Sequence, residues 1–203
     1  MDYDSFINTK TALDFMYLIY KAKNGDYNSD SHMITLFSLA LSIKAKNILE
    51  LGVYKGNTTL PLLMAAQING GFLNSVDLHP TGYEPPEHLR QFWKFHAMDS
   101  IYYLNQLPEL NKKIDLVFID DWHDGEHVYN ELMLIEPFVD KSSLILLHDA
   151  MYGSHPEYNL SEGKGSAWFS NYGPYGALRK LDRSVWEYTT IPVDHGLTIL
   201  RKY

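Results

Sequence analysis

Cysteine is absent from this chain, which removes disulfides, thiolate metal ligands and cysteine nucleophiles together. The absence agrees with a reducing compartment, and the cytoplasm is the expected location. Positive charge is also short: 17 Lys and Arg against 25 Asp and Glu leave a formal net charge of −8. Neither nucleic acid nor an anionic membrane is therefore an expected partner. No apolar run reaches the roughly 20 residues of a membrane span. The opening Met1-Asp2-Tyr3-Asp4 lacks the basic and apolar regions of a signal peptide. Repeats, low-complexity tracts and charged tails are missing too. What remains is ordinary globular composition, 45% hydrophobic and 21% charged over 203 residues. That length suits one domain with a full core.

Residues 1–45 read as a small helical cap and 46–203 as the main body. A first helix over about 10–22 places Leu13, Met16, Tyr17 and Tyr20 on one inward face and ends at Asn24-Gly25-Asp26. A second, over 33–44, is capped from Ser29-Asp30-Ser31 and turns Ile34, Phe37, Ala40 and Leu41 inward. The aromatic residues Phe15, Tyr17 and Tyr20 either pack on the body or form a homodimer contact.

Beyond residue 46 short apolar runs alternate with helices, the pattern of a parallel sheet covered on both faces. Strands are expected at about 47–51, 73–78, 94–98, 115–119 and 143–147, with helices near 58–68, 99–106, 124–137 and 175–181. Two further strands, 186–191 and 196–201, are close enough to be antiparallel neighbours. The Gly-, Pro- and aromatic-rich stretch 151–172 reads as a long loop of lid type.

Glu50-Leu51-Gly52-Val53-Tyr54-Lys55-Gly56-Asn57-Thr58-Thr59 is the most informative segment. A strand runs through a glycine turn into a helix, where backbone can approach a nucleotide-like ligand closely. Tyr54 breaks the G-x-G-x-x-G phosphate cradle of a nicotinamide-dependent oxidoreductase. A Gly52-x-x-x-Gly56 pair behind an acid suits a phosphate-free ligand such as S-adenosylmethionine (SAM).

Ligands of open α/β sheets lie beyond the strand C-termini, and five successive strands end there in acids: Glu50, Asp77, Asp99, Asp120 and Asp149. Asp77 lies 21 positions beyond Gly56 and can accept both ribose hydroxyls. Glu50 orients the glycine turn or a helix amide, or is a buried acid satisfied by backbone donors, and the two glycines permit close approach. Thr58 and Thr59 are cofactor contacts or simple caps of the next helix.

Glu50–Gly56 resembles the first motif of class I SAM-dependent methyltransferases. Two later segments, Asp120-Asp121-Trp122-His123 and His148-Asp149, resemble the macrocin O-methyltransferase and cephalosporin-hydroxylase-like branch. The resemblance implies a Rossmann-like three-layer sandwich, a mostly parallel seven-stranded sheet closed by a C-terminal antiparallel hairpin. It implies that Asp99, with Ser100 beside it, receives the adenine amino group. It further implies Mg²⁺ on Asp120 and Asp149, with His123 as general base and Asp120 as its substitute. Methyl transfer needs an oxygen nucleophile positioned and deprotonated, which those groups suit.

His148 is expected to be buried and hydrogen-bonded instead of a ligand. The chain departs from its relatives at Ala150, where catechol-type enzymes have Asn, at Trp122, and at Gly125, where Tyr is common. The expected activity is Mg-assisted O-methylation of a small molecule or a sugar hydroxyl, with Tyr152, Tyr158, Trp168, Phe169, Tyr172 and Tyr175 offering aromatic faces to the acceptor. The alternatives are a SAM- or nucleotide-binding module without turnover and the oxidoreductase.

Overall fold

The fold is given by a computed structural model that describes residues 9–25, 28–107, 112–151 and 171–203. Helices α1 (Lys10–Asn24) and α2 (Met33–Ser42) precede β1 (Asn47–Leu51), α3 (Thr59–Asn69), β2 (Phe72–Asp77) and β3 (Trp93–Ala97). The chain continues through α4 (Ser100–Leu104), β4 (Leu116–Ile119), α5 (Gly125–Ile135), β5 (Leu144–His148) and α6 (Gly173–Lys180), and ends in β6 (Trp186–Ile191) and β7 (Leu197–Lys202). Among the described residues no helix is long and apolar enough to cross a membrane.

The seven strands lie in the order β3-β2-β1-β4-β5-β7-β6. All neighbours are parallel except the two pairs made by β7. The expected three-layer architecture and its terminal hairpin are therefore present. Order reverses at β1, which has β2 on one side and β4 on the other, so a crevice opens above the C-terminal ends of β1 and β4. Register aligns Leu51 with both Val76 and Ile119, and Ile119 with Leu147. The residues that follow these positions consequently share one rim.

Side chains alternate across the sheet because successive Cβ atoms point to opposite faces. Ile48, Leu116, Phe118 and Leu146 join a buried cluster with Leu18, Met33, Leu36 and α3 residues Leu62 and Leu63. Leu49, Leu51, Val117 and Ile119 join the opposite cluster with Val128, Leu132, Leu178 and Trp186. The two N-terminal helices thus share a core with α3 and the sheet.

The faces of those helices differ from expectation. In α1, Leu13, Met16, Tyr17 and Tyr20 are at least half exposed, while Ala12 and Leu18 are buried and Phe15 packs on Phe37 at 5.5 Å between ring centroids. Seven apolar residues in positions 13–20 leave the 3.6-residue period without a single face to choose. In α2 the buried stripe is Met33, Leu36, Phe37 and Ala40, so Ile34 and Leu41 are only half-buried. A 3₁₀ turn, Asn28–His32, replaces the expected side-chain cap there. The lid stretch lies outside the described residues for all but its two ends.

Candidate functional site

The carboxylate of Glu50 points to the α3 face of the sheet, in phase with Ile48. It accepts the hydroxyls of Thr58 (2.8 Å), Thr59 (2.9 Å) and Ser75 (2.6 Å) and is wholly buried. Ser75 in turn accepts from Trp93 Nε1 at 2.9 Å. Burial outweighs those hydrogen bonds and pushes the Glu50 carboxyl up to about 7. Thr58 occupies the cap position of α3, yet its hydroxyl goes to Glu50 and not to a helix amide. The simple cap reading of Thr58 and Thr59 is thereby corrected: both tie the helix start to the β1 acid.

Asp77, at the end of β2, accepts the amides of Val53 (2.9 Å) and Tyr54 (3.0 Å) through one oxygen and that of His79 (3.1 Å) through the other. A carboxylate has about four lone-pair positions, so one remains for a ligand hydroxyl. Gly52 has φ +90° and a Cβ there would stand 2.1 Å from the Asp120 carbonyl oxygen; only glycine lets the β1 and β4 loops meet. At Gly56, φ +77°, a Cβ would strike the Tyr83 ring at 2.2 Å. Asp99 caps α4 by accepting the Tyr102 amide at 2.9 Å. Ser100 Oγ stands 3.1 Å from His127 Nε2. A cleft beside the glycine turn is lined by Ser29, Gly52, Val53, Tyr54, Lys55, Asn57, Thr58 and Asp120, without Asp77, Asp99 or Ser100.

Along the same rim, the ends of β4 and β5 bring acids and imidazoles together. His123 Nε2 is 2.6 Å from Asp149 Oδ2 and 3.5 Å from Asp120 Oδ1. His148 Nδ1 is 3.3 Å from Asp120 and 3.4 Å from Asp149. His195, from the β6–β7 turn, reaches Asp149 Oδ1 at 3.1 Å. Asp149 adopts a left-handed backbone, φ 58°, which is uncommon outside glycine and concentrates at functional sites. Burial disfavours charge on every member, but the opposed charges prevail. They hold His123 up to about 9 and His148 up to about 10, and depress both aspartates.

His148 is buried, as expected, but neither ring nitrogen makes a hydrogen bond, contrary to expectation. Its Nδ1 instead faces the two carboxylates at the spacing of a shared ligand set, and Asp120, His148 and Asp149 could together hold a metal ion. Two carboxylates fit a hard divalent cation such as Mg²⁺, and the imidazole admits softer ions as well. His32, brought in by the 3₁₀ turn, packs edge-on against His148 at 5.3 Å and donates from Nε2 to the Val193 carbonyl oxygen at 3.0 Å.

The sequence model described as "Methyltransferase domain" matches residues 49–150, half of the chain. The chain belongs to that family. The methyltransferase-domain match runs from the middle of β1 to the residue after Asp149, so it contains the glycine turn and all five strand-end acids. With this strand order it makes the protein a class I SAM-dependent methyltransferase. No curated protein matches the sequence. Among solved structures, the cofactor-bound Rv0187 protein from MTB aligns with TM-score 0.63 and 16% identity over 99% of this chain and 96% of its own. An O-methyltransferase from Bacillus cereus, in complex with SAH, aligns with TM-score 0.65 and 13% identity over 95% and 90%. MycE, a methyltransferase of the mycinamycin biosynthetic pathway in complex with Mg, SAH and mycinamycin VI, gives 0.63 and 16% over 93% of this chain and 54% of its own.

Of the expected acceptor aromatics, Tyr152, Tyr158, Trp168 and Phe169 lie outside the described residues. Tyr172 precedes α6 and Tyr175 lies within it, and the Arg179 guanidinium stands over both rings. Trp122 is 60% exposed, with its ring 5.1 Å from His127. His195 and His32 were not legible as site residues, since one sits in a hairpin turn and the other 116 positions before His148.

Proposed function

We propose that the protein transfers the methyl group of SAM to a hydroxyl oxygen of a small molecule or sugar, assisted by a divalent cation, Mg²⁺ in the first instance. The observation that carries this reading is the convergence of Asp120, Asp149 and His148 on one point, next to the glycine turn. The cofactor residues are Glu50, Gly52, Gly56, Thr58, Asp77, Asp99, Ser100 and Asp120. In this reading the remaining lone pair of Asp77 receives a ribose hydroxyl and the Asp99–Ser100 turn the adenine. Glu50 and Thr58 act indirectly, by fixing the start of α3 against β1.

Asp120 and Asp149 would hold the cation, which when bound supplies positive charge beside the acceptor hydroxyl and lowers its pKa. His123 takes the hydroxyl proton. It can do so only when the carboxylate charge beside it is offset, because the two aspartates otherwise keep the imidazole charged up to about 9. The methyl then passes in line from sulfonium to oxygen, and SAM leaves as a neutral thioether, so positioning supplies much of the rate. Exposed Trp122 and Tyr54 stand beside the crevice where a sugar or planar ring could stack. The exposed face of α1 supports a homodimer, and the absence of an excess of basic residues argues against a nucleic-acid partner.

The test uses SAM with a labelled methyl group, incubated with panels of glycosides and catechols, with Mg²⁺ and with EDTA. Label recovered on oxygen, lost in EDTA, is the expected result. Turnover indifferent to EDTA removes the cation from the mechanism. SAM binding without transfer to any acceptor leaves a binding module.

A further inference from the structure

Asp120 and Asp121 are neighbours in sequence, but they serve different clusters. Asp120 joins the crevice. Asp121 turns towards α5, where His127 and Glu131 lie four residues apart and so share a face. His127 Nε2 is 3.5 Å from Asp121 Oδ2, 3.3 Å from Glu131 Oε1 and 3.1 Å from Ser100 Oγ. One ligand atom from each of Asp121, His127 and Glu131 lies within 4.8 Å of the others.

Glu131 decides the matter. Its side chain is 0% exposed, and neither carboxylate oxygen makes a hydrogen bond; Asp121 Oδ1 is likewise buried and without one. No lysine or arginine among the described residues pairs with either acid. A buried carboxylate in that condition needs a proton or a cation. A proton shared between the two acids, which lie within hydrogen-bond reach of one another, is the alternative that the experiment below separates from a cation. The His127 imidazole faces both acids, which raise it to about 10 against the effect of burial, but neither contact has the roughly 2.7–2.9 Å of a charge-assisted hydrogen bond. Ligand atoms arranged tetrahedrally at the usual Zn²⁺ distances of about 2.0–2.2 Å stand roughly 3.4 Å apart, which matches both.

We propose that Asp121, His127 and Glu131 form a second divalent-cation site, of Zn²⁺ type, separate from the crevice. With neutral His127, a divalent ion balances the two carboxylates. The site would pin the start of α5 to the end of β4, a structural role that does not depend on the acceptor or on turnover.

The experiment titrates Zn²⁺, with Mg²⁺ as control, into protein carrying Asp149→Asn so that the crevice cluster is weakened. Metal content after dialysis and Tm are both read. One Zn²⁺ per chain and a Tm several degrees higher with Zn²⁺ are expected, and both effects should vanish on adding Glu131→Gln. Asp121→Asn, less deeply buried than Glu131, serves as the second variant if Glu131→Gln does not fold. X-ray absorption of the Zn²⁺-loaded protein should show one imidazole among oxygen ligands. Retention of the ion by both variants would overturn the site. So would a Glu131→Gln protein as stable as its parent with or without Zn²⁺, because that is the behaviour of a carboxyl that simply keeps its proton.

Discussion

At the β1–β3 end of the crevice the acids are occupied by the protein's own donors: Glu50 by three hydroxyls, Asp77 by three amides and Asp99 by the Tyr102 amide. At the β4–β5 end, Asp120 and Asp149 meet the imidazoles of His123, His148 and His195. There His148 is buried without a hydrogen bond and Asp149 has a left-handed backbone. The first region is built to hold a loop in one shape. The second stores charge and strain, the usual condition of a place where chemistry or a cation completes the arrangement. A methyltransferase needs both, a rigid seat for the cofactor and a group whose protonation can change beside the acceptor.

The largest effect that separates the two regions is on turnover. Asp149→Asn should lower kcat by about 10²- to 10⁴-fold, the range for loss of general acid–base or cation assistance, while SAM affinity stays within a few-fold. Steady-state kinetics with the labelled acceptor, beside calorimetry with SAM, checks both halves. A variant that lost SAM binding as severely as turnover would merge the regions.

Next is the acid at the heart of the satisfied region. Glu50 has its carboxyl raised from 4.5 to about 7 by burial. The folded state therefore binds a proton that the unfolded state has released across that interval. Its contribution is fully present below about pH 4.5 and is lost as pH rises through 7, on the order of 3 kcal/mol in all. Glu50→Gln should flatten that part of the stability–pH curve in chemical denaturation measured with EDTA present. An unchanged curve would mean that the carboxylate is charged throughout.

Asp77→Ala should weaken SAM about ten- to hundredfold. Because Asp77 also accepts the Val53 and Tyr54 amides, part of that loss belongs to a loosened turn. Asp77→Asn, which keeps an accepting oxygen, should restore some of the affinity, and calorimetry with both variants divides the two roles.

The smallest expected effect lies outside the crevice. Changing exposed Met16 and Tyr20 to Glu should leave Tm within about a degree, since surface substitutions usually cost under ~0.5 kcal/mol. If α1 forms the homodimer contact, the same change should halve the mass in analytical ultracentrifugation.

Much of this was legible in the sequence. The apolar runs 116–119 and 144–147 had no competing period, and each became a buried strand. The glycine turn declared itself because a close approach tolerates no other residue at Gly52. The inward face of α1 was not legible, because apolar residues surround that helix and packing alone selects among them. His195 and Glu131 were also hidden. A histidine in a hairpin turn and an acid in a helix have no local pattern that marks them, and only the sheet order brings His195 beside Asp149. The lone pairs of Asp77 were assigned to a ligand, whereas three backbone amides had already taken most of them.

Calorimetric titration of SAM into the wild-type protein, Asp77→Ala and Asp149→Asn, each with Mg²⁺ and with EDTA, tests the division of the crevice most directly. Micromolar binding to wild type, a ten- to hundredfold loss in Asp77→Ala and near-wild-type affinity in Asp149→Asn are expected. No SAM binding to the wild-type protein in either buffer would contradict that division, as would equal losses in the two variants.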